Sequence, residues 1–333
     1  MPSLFWIGNP FFVHSLSQCG WEKVYYHNFS TLRVFSWEGI VSLANFEPDI
    51  VVVADKSIPP FVLGMEDFPA LTVFYAIDSH LHSWFPLYAQ GFDAAFVSLY
   101  DHMAHFVGQF LPSERIFWSP PFAQDDFRPK EKKAEKKWDC IFVGSVNDTT
   151  PLRKHFLHEL SRYIPDLYVV SGNFVELFPQ ARVVLNFCEH GDLNFRVFEA
   201  MGMGSALVSP RIENGQDLLF QDGKHFLLFD PNSVEDAYAQ IKRLLENPSL
   251  RASLEKEGLA QIDAKHRASH RAKRFTERIL ELWQSRSTLL SMRKAHASSI
   301  HNALRFLYLL WAKETEGDDL KQAYIDAAKK RPL

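Results

Sequence analysis

Arg196 and Glu199 stand three residues apart in the segment Asn194–Pro210, NFRVFEAMGMGSALVSP. On a helix that spacing puts both on one face, with Val197, Phe198 and Met201 on the opposite, apolar face. A guanidinium suits phosphate and a carboxylate suits sugar hydroxyls. The start of such a helix adds unpaired backbone N–H groups that favour an anion. A nucleotide sugar carries both phosphates and hydroxyls, and is the ligand first expected here. The polar loop Cys188–Leu193, with Glu189 and His190, leads into the segment. Far upstream, Asp78-Ser-His-Leu-His82 follows the apolar run Leu71–Ala76. Ligands bind at loops that follow parallel strands. Asp78 and His80 are therefore expected to meet acceptor or donor sugar, a histidine being suited to acid/base work near neutral pH. His80 and His82 have no evident third ligand, so no metal is expected.

The elements that must position these groups form two series. The first has apolar runs at Leu4–Gly8, Val24–His27, Ile50–Ala54, Leu71–Ala76, Ala94–Ser98 and Ile116–Ser119. Continuous Val/Ile/Phe runs are the pattern of strands buried on both faces, which predicts a parallel sheet between helices. Helical spacing covers Thr31–Phe46 and Tyr100–Leu111. Pro120-Pro121 ends the series, and a charged connector follows. The second series predicts strands at Asp139–Ser145, Asp166–Val170, Ala181–Phe187, Ala206–Ser209 and His225–Phe229, with helices at Leu152–Tyr163, Ser233–Glu246 and Pro248–Gly258. Gly202 and Gly204 stop the Arg196 helix before its following strand. From Gln261 the pattern is helical and charged, and Ser298–Glu314 carries an apolar stripe of Ile300, Leu304, Leu307 and Trp311. It reads as a helix packed on the body, or alternatively as a protein-contact surface.

With 333 residues, two domains fit comfortably. A net charge of −4 excludes whole-molecule attraction to nucleic acid. The three cysteines, Cys19, Cys140 and Cys188, lack metal-site spacing and fit a reducing compartment. With neither a leader pattern nor a long apolar run, a cytoplasmic location is expected. P-loop, Gly-x-Ser-x-Gly and zinc signatures are absent from the sequence.

The run Asn194–Pro210, followed by Leu218-Leu219-Phe220, Gly223 and Phe229-Asp230, resembles the C-terminal domain of group 1 glycosyltransferases. The two helices around Asn247-Pro248 extend the resemblance. Within that superfamily it is similar to the CgeB-like, spore-maturation branch, where an Arg-x-x-Glu helix precedes a Gly-strand and a His-Arg pair, here His270-Arg271, opens a later helix. The resemblance implies the GT-B fold, an α/β architecture of two Rossmann-like doubly wound domains facing a cleft. Its domains would be residues 1–121 on the acceptor side, a linker at 122–138, a nucleotide-sugar domain at 139–282 and a helical extension at 283–333.

The same resemblance implies a glycosyltransferase, hexosyltransferase-like, retaining and metal-independent, that moves sugar from a nucleotide-diphosphate sugar to an acceptor hydroxyl without a cofactor. Glu199 would hold the donor ribose, and Arg196 and the helix start at Asn194 would face the pyrophosphate. Gly144-Ser145 would form the loop approaching the phosphates, with Arg153 or Lys154 serving the leaving diphosphate. Many retaining members carry a further glutamate eight residues before the Glu199 position. Here that position is Gly191, with Glu189 and His190 beside it. The displaced Glu189 joins Asp78 and His80 as a candidate catalytic group, and His190 joins the substrate-binding candidates. The departure also leaves open a catalytically inactive scaffold binding a nucleotide sugar, glycan or protein. A sugar-nucleotide epimerase would need acid/base carboxylates, and only Glu189 and Asp192 offer themselves.

Overall fold

A computed structural model describes residues 1–130 and 134–330. It divides into two compact units, the first formed by residues 1–120 with 272–333 and the second by residues 121–271. The C-terminal helices, expected as an extension after the second domain, therefore belong to the first unit. Part of the expected linker, residues 131–133, lies outside the described residues.

Unit 1 holds six strands: β1 (Ser3–Gly8), β2 (Lys23–His27), β3 (Ile50–Ala54), β4 (Leu71–Ala76), β5 (Ala94–Val97) and β6 (Ile116–Trp118). All pairings are parallel, in the order β2-β1-β3-β4-β5-β6. β1, β3, β4 and β5 are buried along their whole length, as continuous apolar runs require. The expected helix at Thr31–Phe46 is shorter, Trp37–Ala44. It starts where the Ser36 hydroxyl accepts the Gly39 N–H at 3.3 Å, and stops at Asn45 in the left-handed region. The Tyr100–Leu111 helix shrinks to a single turn, Met103–Phe106, behind a 3-10 turn.

The terminal helix is longer than expected, spanning Arg286–Glu314, and Asp318–Lys329 packs back on it. Ile300, Leu304, Leu307 and Tyr308 join the unit 1 core beside Phe74, Tyr88 and Phe92. Its buried stripe also contains Arg293 and His301, which apolar periodicity passes over. Arg293 pairs with Asp93 and donates to Thr72 Oγ1 at 2.9 Å and to the Ala70 carbonyl at 2.8 Å. His301 Nδ1 lies 3.0 Å from the buried Glu66 carboxylate.

Unit 2 holds β7 (Trp138–Val143), β8 (Leu167–Val170), β9 (Ala181–Leu185), β10 (Leu207–Pro210) and β11 (Leu227–Phe229), all parallel in the order β11-β10-β9-β7-β8. Its core joins Cys140, Phe142, Val183, Leu185 and Val208 to Phe156, Leu160, Ile241 and Leu254 from the flanking helices. β7 lies between β8 and β9, so chain order reverses at the β7/β9 pair. In open parallel sheets ligands bind at the carboxyl ends of the strands at such a reversal. The Gly144 loop leaves β7 there, and the Asn186–Asn194 loop leaves β9 beside it.

Candidate functional site

Arg196 and Glu199 lie on the helix Phe195–Gly202, whose apolar side buries Val197, Phe198 and Met201. The Arg196 guanidinium lies over the Phe142 ring, 4.8 Å from its centre. A Cβ on Gly144 would come within 2.6 Å of Arg196 Nη2, so the bare glycine leaves room for this placement. Arg153, from the helix Pro151–Ser161, stands 5.7 Å from the centre of the same ring and donates to the Ser145 carbonyl at 2.9 Å. Its Nε is buried without a hydrogen-bond partner. Burial lowers the proton affinity of Arg196; Glu199 partly offsets this, and the like charge of Arg153 adds to it. Two guanidiniums on one aromatic ring form a pairing that a diphosphate would neutralise.

Burial pushes the Glu199 carboxyl up to about 7, against the pull of Arg196. Although spaced to pair, the two side chains close no ion pair within 4 Å, and the Glu199 carboxylate receives no hydrogen bond among the described residues. Arg196 turns instead to Asn186 Oδ1, a long 3.4 Å contact. An acceptor without donors, partly withdrawn from water, is an arrangement that a vicinal diol would satisfy.

Asn194 occupies the N-cap position with extended backbone, yet its side chain does not cap the helix. Its Nδ2 donates to Asn186 Oδ1 at 3.2 Å and contacts Cys188 Sγ at 3.3 Å, while its Oδ1 is buried without a partner. The helix start thus keeps N–H groups free of a side-chain cap. Asn186 and Phe142 were missed in the sequence. Asn186 is fully buried and also reaches Ser209 Oγ at 3.2 Å; the available signal was one amide ending the apolar run of β9.

Glu189, expected as a catalytic candidate, binds backbone at the start of a neighbouring helix. Its two carboxylate oxygens accept the N–H groups of Leu152 and Arg153, each at 2.9 Å. Thr150, at the N-cap of that helix, provides no side-chain bond, so Glu189 satisfies the orphan donors and the helix dipole together. These bonds seat the helix that carries Arg153. His190 is exposed. Gly191 has φ +70°, with open space where a Cβ would be. A glutamate there would fit sterically but sit in strained backbone. Lys154 pairs with Asp148 at 2.9 Å on the open surface. Ser145 is exposed and contributes its carbonyl to Arg153. His270 and Arg271 also act locally: His270 Nδ1 accepts from Arg267 N at 3.1 Å, and buried Arg271 donates to the Pro121 carbonyl at 3.0 Å.

Asp78 and His80 belong to unit 1, at the carboxyl edge of its sheet after β4. The Asp78 carboxylate accepts the Ser57 hydroxyl, and its N–H donates to Asp55 Oδ2 at 2.8 Å. His82 stacks on Phe85 with ring centres 4.8 Å apart. Among the described residues no group of three or more metal-ligating side chains converges, and no helix is long and apolar enough to cross a membrane.

Residues 142–277 match the family model described as glycosyl transferase-like. That span contains the Gly144 loop, Arg153, Arg196 and Glu199. No curated protein matches the sequence. Among solved structures, HepE of Anabaena in complex with UDP and glucose is similar at TM-score 0.62 and 10% identity, over 84% of this chain and 99% of that one. The sucrose-phosphate synthase of Thermosynechococcus elongatus gives TM-score 0.58 at 9% identity, over 86% and 100%. A glycosyltransferase from Rickettsia africae gives 0.53 at 8%, over 82% and 96%. Two parallel-sheet Rossmann-like units with added helices, alike to these structures, make the fold GT-B. The glycosyl transferase-like match over residues 142–277 agrees with the group 1 glycosyltransferase resemblance.

Proposed function

We propose that the chain is a glycosyltransferase that takes a sugar from a uridine diphosphate sugar and delivers it to an acceptor hydroxyl. The observation that carries the reading is the Arg196–Phe142–Arg153 arrangement beside the unpartnered Glu199 carboxylate, at the β7/β9 reversal. UDP is favoured as the nucleotide because HepE, of like fold, is seen with UDP and glucose. Glu199 accepts the two ribose hydroxyls. Arg196, Arg153 and the uncapped helix start after Asn194 receive the diphosphate, whose departure they stabilise through fixed positive charge. Gly144 keeps the backbone clear of Arg196. With two guanidiniums in place, the leaving group needs no metal in this proposal. Asp78 in unit 1 accepts a hydrogen bond from the acceptor hydroxyl, with His80 beside it in the same loop. Retention at the anomeric carbon and placement in the CgeB-like branch belong to the same proposal.

Incubating the full chain with UDP sugars and following UDP release and transfer tests the activity. A chain that binds UDP but neither releases it from UDP sugars nor transfers sugar would be the binding scaffold, a reading favoured by Gly191 and by the capping duty of Glu189. The same bonds engage Glu189, one of the two carboxylates, with Asp192, that epimerisation would use.

A further inference from the structure

We propose that Ser57 is a positioning residue for Asp78, its backbone held in a left-handed turn so that its hydroxyl fixes the Asp78 carboxylate at the carboxyl edge of the unit 1 sheet. This rests on the glycosyltransferase reading, in which Asp78 contacts the acceptor. β3 and β4 are sheet neighbours, with Ala54 opposite Tyr75, so the loops that follow them leave the sheet side by side. Asp55, the first residue past β3, is 3% exposed. Its Oδ1 accepts the Ser57 N–H at 2.6 Å, and its Oδ2 accepts the N–H groups of Ile77 and Asp78 at 3.1 and 2.8 Å. One buried carboxylate thus ties both loops together and closes a local turn around Ser57.

Within that turn Ser57 has φ +54°, a region that a residue with a Cβ enters at a cost and glycine enters freely. The Asp55 bond uses only the backbone of Ser57, so glycine would serve the turn better. What glycine lacks is the hydroxyl, and that hydroxyl donates to Asp78 Oδ2. It supplies the one hydrogen bond made to the Asp78 carboxylate among the described residues. Oδ1 is left to accept from a ligand hydroxyl. Strain held at a sheet edge where ligands bind, and spent on orienting a carboxylate, is the pattern of a preorganised site.

The test compares full-length wild type with Ser57→Gly and Ser57→Ala. It measures UDP release from UDP-glucose, UDP-galactose and UDP-N-acetylglucosamine with water as the acceptor whose hydroxyl Asp78 receives, together with UDP affinity and Tm. Positioning requires both variants to lose kcat alike, by about tenfold or more, with KM for the donor and Kd for UDP unchanged. Stability should nonetheless diverge, Ser57→Gly melting above Ser57→Ala because it relieves the left-handed strain. Full activity in Ser57→Gly, or activity that follows Tm across the three proteins, overturns the inference. Wild type that binds UDP but releases none from the donors also overturns it while leaving the donor site standing. Failure to bind UDP removes the donor-site reading itself.

Discussion

The Arg196 guanidinium occupies space that a side chain on Gly144 would contest, its Nη2 lying 2.6 Å from where that Cβ would stand. A glycine on one loop therefore leaves room for a cation from a helix more than fifty residues away, which lies over Phe142 and closes no ion pair with Glu199.

Gly144→Ala tests that relationship. The contested atom is the far end of a flexible side chain, so the fold should survive while Arg196 swings away from Phe142. UDP affinity is expected to fall about tenfold, roughly 1.4 kcal/mol, by titration calorimetry, with little change in Tm. Unchanged affinity would show that Arg196 does not hold the phosphates from its position over Phe142.

Glu199 should make the empty protein less stable. Its folded-state value of about 7 lies above the ordinary carboxyl value of 4.5, so between those pH values the folded chain binds more protons than the unfolded one. Stability linked to this group therefore falls as pH rises through the window. Glu199→Gln removes the cost of ionising it. The variant should melt higher than wild type at pH 8, by on the order of 1–2 kcal/mol, and show a much smaller difference at pH 4. A mutant less stable than wild type at pH 8 would contradict the burial argument.

Glu189→Ala separates a capping role from a catalytic one. Two helix N–H groups lose their acceptor and the helix start loses its anion, which should cost about 1–2 kcal/mol. Equilibrium denaturation reads it directly. A variant with wild-type stability and no turnover would support the catalytic role instead.

The two-series βα pattern, and with it the parallel sheets, was legible in the sequence, because doubly buried strands show as unbroken apolar runs. Arg196 and Glu199 were legible as a pair because helical spacing is local. Their failure to pair was not, since it depends on Phe142 of β7 and Gly144 in the loop after it. The capping bonds of Glu189 were not legible either, because its partners, the N–H groups of Leu152 and Arg153, are backbone atoms with no residue signature. The buried stripe of the long terminal helix was read only from Ser298, because Arg293 fills a buried position that apolar periodicity assigns to a hydrophobe.

His301 gives a pH dependence of opposite sense within unit 1. Its bond to Glu66 raises its proton affinity above the ordinary value of 6.5, despite the opposing effect of burial. The stabilisation is complete below pH 6.5 and is lost as pH climbs through the raised folded value. The Tm advantage of wild type over His301→Gln should therefore be largest near pH 6 and shrink toward pH 9. A gap that widens with pH would rule out a charged pair.

Titration of UDP into wild type and Glu199→Ala, side by side at pH 8, tests the donor site most directly. At that pH most Glu199 is ionised. Wild type should bind with one site per chain and the variant at least tenfold more weakly, with an unchanged unfolding profile in the absence of nucleotide or a more stable one. Equal binding by the two proteins, or no binding by a folded wild type, would contradict the assignment of this helix to the nucleotide.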